Sequence, residues 1–226
     1  MTIRELQEKI GANPDGVWGP VSRAALLARF ANKQANAVSA SDIARFANRL
    51  GCNARQVMAV AKVESGGKSF DDGGRPKILY ERHKFHRFTA GRFSPAWFSS
   101  SARGGYSEDH TPGDGIPGSW GKLLDACGCD PHAAFMACSW GAFQVLGEWW
   151  DELGYPSPFA LAWTTVQSEA DHYELLVRYI ERFKLQDELR AVSPNSDTCI
   201  PFVAAYNGPA FRDNDYHTKI ARAMRA

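Results

Sequence analysis

The 226-residue chain has no apolar run approaching the roughly 20 residues needed to cross a bilayer. Its opening, MTIRELQEKIG, lacks the apolar centre of a secretory signal. A membrane partner is therefore not expected. The expectation is a protein made in the cytoplasm that leaves it by a route other than a cleaved signal. Net charge is nearly absent too: 26 Lys and Arg stand against 25 Asp and Glu, leaving +1 and a pI near 7.7. That balance excludes the broad basic field of a nucleic-acid partner, but it allows a local positive patch facing an anionic polymer. Cysteine is sparse and odd in number: Cys52, Cys127, Cys129, Cys138 and Cys199. An odd count without a signal argues against a disulfide framework, and Cys127-Gly-Cys129 is too tightly spaced for a zinc knuckle. Buried structural thiols are expected instead.

What is present is ordinary for a globular protein, with 44% hydrophobic and 23% charged residues. The length suits one mid-sized domain with a small appendage, acting as a monomer. Residues 1–37 read as a compact helical unit and residues 40–226 as the main domain, with a small, polar stretch around residues 32–37 between them. In the first unit Ile3, Leu6 and Ile10 share a helical face. An Asn13-Pro14-Asp15-Gly16 turn follows, and a second helix runs from Ser22 to about Phe30.

The main domain reads as mostly helical. Ser41 can cap a helix carrying Ile43, Phe46 and Leu50 that ends at Gly51. Asn53 can cap the next, which holds Val57, Val60 and Val63 and stops at Gly66-Gly67. Asp130-Pro131 looks like a cap followed by proline at the first helical position. A long amphipathic helix is expected over about 165–185, then helices over about 197–206 and 216–225. Ile78-Leu79-Tyr80 should be a strand or buried segment. Between about His86 and Lys122, Gly, Ser, Pro and aromatic residues dominate, and so long an irregular segment reads as one wall of a cleft.

Glu64 sits near the end of an apolar helix, in Ala61-Lys62-Val63-Glu64-Ser65-Gly66-Gly67. The negative end of the helix dipole and apolar neighbours both disfavour its charged form, as a general acid for glycoside cleavage requires. A solvated glutamate at a helix end is the plainer alternative. Two later segments bear on that choice: Ser139-Trp140-Gly141-Ala142-Phe143-Gln144 and Ala204-Ala205-Tyr206-Asn207-Gly208. The order Glu-Ser, Gly-x-Phe-Gln, Ala-Tyr-Asn-Gly resembles the motif series of the goose-type lysozyme and soluble lytic transglycosylase superfamily. Gly74-Arg75-Pro76-Lys77-Ile78-Leu79-Tyr80-Glu81-Arg82-His83, Gly104-Gly105-Tyr106 and the helix after Trp163 resemble the phage N-acetylmuramidases found in endolysins. That resemblance covers about residues 41–226. It implies a mainly α, lysozyme-like domain with a small loop or β-hairpin lobe. It also implies peptidoglycan as substrate, cut at the β-1,4 bond from N-acetylmuramic acid to N-acetylglucosamine, with Glu64 as acid. A lytic transglycosylase forming 1,6-anhydro ends is the alternative, and a non-catalytic wall-binding protein the second. The endolysin resemblance further implies action on the cell wall after release. Leu6-Gln7, Asp15-Gly16-Val17-Trp18-Gly19-Pro20 and Ala24-Ala25-Leu26 resemble a shortened peptidoglycan-binding domain, with Trp18 and Asp15 as wall-binding candidates. A helical appendage packed on the main domain is the other reading.

Glycosidases commonly use a second carboxylate. Glu81 leads the candidates, although a pair with Arg75, Arg82 or His83 would equally explain it. Asp71, Asp72, Asp109 and Asp114 could serve, but loop aspartates usually make turns. Ser65, Gln144 and Asn207 offer hydrogen bonds to sugar substituents, and Tyr106 and Tyr206 offer stacking faces. Trp140, Trp149 and Trp150 read as core. The histidines form no ligand cluster: His83 and His86 have suitable spacing but no third partner. No metal or other cofactor is expected.

Overall fold

The computed structural model describes residues 1–65, 68–105 and 118–225. In chain order the elements are helices α1 (Ile3–Ile10) and α2 (Pro20–Arg29), then α3 (Ala40–Leu50) and α4 (Ala54–Glu64). Strand β1 (Ile78–Tyr80), α5 (Arg82–Phe88), α6 (Gly118–Cys127), α7 (Pro131–Met136), β2 (Cys138–Trp140), β3 (Val145–Leu146) and α8 (Pro158–Thr164) follow. The last four are α9 (Glu169–Arg182), α10 (Gln186–Ala191), α11 (Ser196–Asn207) and α12 (Tyr216–Ala223). Two units emerge, each from two stretches of chain: residues 1–35 with 70–167, and residues 36–69 with 168–226.

In the first unit the antiparallel sheet runs β1-β2-β3, pairing Tyr80 with Cys138 and Trp140 with Val145. Its core centres on Phe30, which is fully buried just past α2. Five aromatic rings surround it, those of Trp120, Phe135, Trp140, Phe159 and Trp163, with centroids 5.5–5.9 Å away. Several meet it edge to face, the arrangement the ring quadrupole favours. Gly147 lets this packing close, since a Cβ there would lie 2.2 Å from the Phe135 carbonyl oxygen.

The first 35 residues are thus part of a core completed by later chain. Trp18 donates its indole N–H to the Leu124 carbonyl at 2.7 Å. Arg23 pairs with Asp125, and Asn32 donates to the Val166 carbonyl at 2.9 Å.

In the second unit, Ser39 caps α3 through a capping box with Asp42, and Gly51 closes it in the left-handed region at φ 65°. The cap is therefore Ser39, not Ser41, because only Ser39 has an acidic residue three positions on. Asn53 caps α4 as expected, in a box with Gln56. The Gln56 amide reaches the carbonyls of Arg190 and Val192 at 2.7 and 3.0 Å, tying α4 to the end of α10. Helices α3 and α9 pack together, and α12 packs on both α4 and α11. Arg49 joins α3 to α9 by pairing with Glu174 and Glu181.

Two further expectations need correction. The helix expected over about 165–185 is α9, which starts only at Glu169 because Ser168 caps it through the Asp171 N–H. The motif segment 139–144 forms β2 and the turn into β3. Helices α5 and α6 occupy parts of the stretch expected to be irregular. Gly66, Gly67 and residues 106–117, with Tyr106, Asp109, His110 and Asp114, lie outside the described residues. Cys127, Cys138 and Cys199 are buried as expected, whereas Cys52 is half-buried and Cys129 exposed; all five are free thiols. Among the described residues no helix is long and apolar enough to cross a membrane.

Candidate active site

Glu64 is the last residue of α4. Val57, Val60 and Ala61 are buried on the face it shares, so successive helical turns carry its carboxyl into the protein. There its Oε1 accepts a hydrogen bond of 2.9 Å from the Asn207 Nδ2. Asn207 is in turn the last residue of α11, and Gly208 follows at φ 73°, turning the chain sharply there. Two helix C-termini therefore converge, each contributing partial negative charge. Burial pushes the Glu64 carboxyl up to about 7, and the Asn207 amide offsets only part of the effect.

Tyr206 and Tyr216 complete this cluster. The Tyr206 ring stacks on Phe202 at 5.7 Å and meets Tyr179 edge-on at 5.2 Å. Burial raises its phenol well above the ordinary range, and the Glu64 charge adds to the effect. Tyr216, first in α12, is raised by burial and then by the same carboxylate. Sequence reasoning singled out Tyr206 but treated Tyr216 only as a helix start. No local motif marks it, since the packing of α12 on α4 brings it near. Ser65 ends α4, donating its backbone N–H to the Ala61 carbonyl at 2.9 Å.

Glu81 belongs to the first unit, at the cap position of α5 just after β1. The His83 Nε2 lies 3.4 Å from its carboxylate, so one of the anticipated pairs is present. Burial raises the Glu81 carboxyl, Lys84 opposes that, and the Glu148 charge adds to it. Burial lowers the His83 imidazole, as do Arg103, Lys84 and Arg87. Glu148 is itself held by Lys84 and Arg87. Gln144 sits in the β2–β3 turn at φ 51°, its amide donating to the Gly141 carbonyl at 2.8 Å. Asp71 makes a turn, accepting from the Gly73 and Arg75 backbone and pairing with the Arg75 side chain. Asp15 does likewise, accepting from Gln7 and the Val17 N–H. Trp140 is fully buried, while Trp149 and Trp150 are half-buried. Among the described residues, no group of three or more His, Cys, Asp or Glu could hold a metal ion.

Glu64, Asn207, Tyr206 and Tyr216 thus share one unit, with Ser65 next in sequence to Glu64, whereas Glu81 and Gln144 belong to the other. A mainly helical fold with a small three-stranded sheet, carrying a buried protonatable glutamate at a helix end, has the features of a lysozyme-like hydrolase. Residues 53–226, more than half of the chain, match the family described as N-acetylmuramidase, and the chain belongs to that family of peptidoglycan hydrolases. It is also similar to the crystal structure of the Burkholderia AP3 phage endolysin. The TM-score is 0.73 at 29% identity, covering 99% of this chain and 93% of that one. No curated protein matches.

Proposed function

We propose that the protein hydrolyses the β-1,4 bond between N-acetylmuramic acid and N-acetylglucosamine in peptidoglycan, with Glu64 as general acid, and serves as a phage endolysin. The observation that carries this reading is the Glu64 carboxyl, raised by burial to about 7 and held by the Asn207 amide. A carboxyl in that state still carries its proton in much of the population near neutral pH and can deliver it to a glycosidic oxygen. Because Asn207 donates to Oε1, the proton belongs on Oε2, from which it would pass to the leaving group. Bond cleavage then develops oxocarbenium character on the muramyl ring. Tyr206 and Tyr216 oppose ionisation of Glu64 by excluding water around it. Glu81 is proposed as the second carboxylate, with His83 orienting it and Gln144 contributing hydrogen bonds to sugar substituents. The endolysin role follows the likeness to the phage enzyme, and places the action on the wall after release from the cytoplasm.

Mass spectrometry of digested peptidoglycan tests the chemistry. Reducing muramic-acid ends are expected, and 1,6-anhydro ends would replace hydrolysis with a transglycosylase reaction. Glu64→Gln should lower the rate at least about a hundredfold while the protein stays folded. Normal lysis by this variant would end the assignment of Glu64.

A further inference from the structure

A groove of about 560 Å³ runs along the second unit beside α4, on a flank that adjoins the Glu64 face at Ala61. Arg55, Met58, Ala59 and Lys62, at helical spacings of three and four, form its α4 side, and Tyr173 of α9 and Ala223 of α12 line it too. Three of its features point to a ligand. Among the described residues its lining includes two cations and no carboxylate, and no ion pair there involves Arg55 or Lys62, whereas Arg49, Arg178 and Arg190 of the same unit are paired. The floor is small and apolar, with Met58 56% exposed beside the Tyr173 ring. Finally, α12, which brings Ala223 to the lining, carries Lys219 and Arg222 and no acidic residue between Tyr216 and Ala223.

We propose that this groove binds the peptide stems of peptidoglycan, with Arg55 and Lys62 pairing with stem carboxylates and Met58 and Tyr173 covering the aliphatic side chains between them. The proposal rests on the muramidase reading. The stems branch from the muramyl residue whose bond would be cut, and Ser65, which also lines the groove, follows Glu64 directly. The dimensions agree. Arg55 and Lys62 stand seven residues apart, about 10.5 Å along the helix axis at 1.5 Å per residue. An extended peptide covers about that distance in three residues. The groove would thus distinguish stem-bearing from stem-free glycan.

Co-sedimentation with insoluble wall material tests this, using the full chain carrying Glu64→Gln so that the polymer survives. Binding to intact sacculi should exceed binding to sacculi stripped of stems by an amidase about three- to tenfold, the scale of two exposed ion pairs. Adding Arg55→Gln and Lys62→Gln should erase that difference, whereas Arg55→Lys with Lys62→Arg should keep it. Stems whose carboxylates have been amidated should bind like no stems. A preference that survives the double glutamine variant, or survives amidation, overturns the proposal. So does a preference that appears only at concentrations where the protein self-associates, since a second copy would then occupy the groove. Release of reducing ends from stem-free glycan by the wild-type protein, scored in parallel, reports on the muramidase reading alone.

Discussion

Glu64 owes its chemistry to where its helix stops. Had α4 continued, the carboxyl would have pointed along a helix flank; instead it meets the end of α11 and the Asn207 amide. Below its ordinary value of 4.5 the group is protonated in folded and unfolded chains alike. Between 4.5 and about 7 only the unfolded chain gives up the proton, so folding stability should fall as pH rises through that window and level off above it. Urea titrations at a series of pH values should show this slope in the wild type and a shallower one in Glu64→Gln. Activity should fall as pH rises through about 7. Asn207→Ala removes the bond that favours the carboxylate, so that limb should move to higher pH while the maximal rate drops; an unmoved limb would separate Asn207 from the acid. The order of short motifs grouped Glu64 with Asn207, but not their bond: the sequence read Asn207 as a partner for sugar substituents, and the structure has it donating to Glu64. Tyr216 was not legible, since a lone aromatic at a helix start carries no signal until the helix is packed.

At the scale of single elements, what the chain announces locally is its caps. Asn53, Asp130 and the left-handed Gly51 act where simple spacing rules place them. The choice between Ser39 and Ser41 needed one further residue, Asp42, whose carboxylate accepts the Ser39 N–H at 3.1 Å. Ser39→Ala should therefore cost about 1 kcal/mol of stability, and Ser41→Ala less than about 0.5 kcal/mol, measured by chemical denaturation. The start of α9 was harder to read, because apolar residues precede it while the start depends on one serine, Ser168. The motif around Gln144 illustrates the opposite difficulty: its sequence suits several turns, and pairing of β2 with β3 makes it a hairpin.

For the molecule as a whole, the helical character was legible from periodicity, but the grouping of helices was not. Phe30 looks like the last apolar residue of a short appended helix, yet its five aromatic partners come from residues 120–163. Contacts so distant in sequence leave no local trace. Phe30→Ala should lower stability by about 3–5 kcal/mol, seen as a large drop in the denaturation midpoint. Removing residues 1–35 should leave the remainder aggregated or rapidly proteolysed; a soluble product with an unchanged midpoint would refute the shared core. The same interleaving governs synthesis. The chain passes from one unit to the other after residues 35, 69 and 167, so neither core can close while the ribosome is still making its later half. Helix α4 emerges early but waits for α11 to deliver Asn207 and for α12 to cover it. A nascent chain would carry the glutamate without its environment, and wall-degrading capacity would arise only once α11 and α12 had been made.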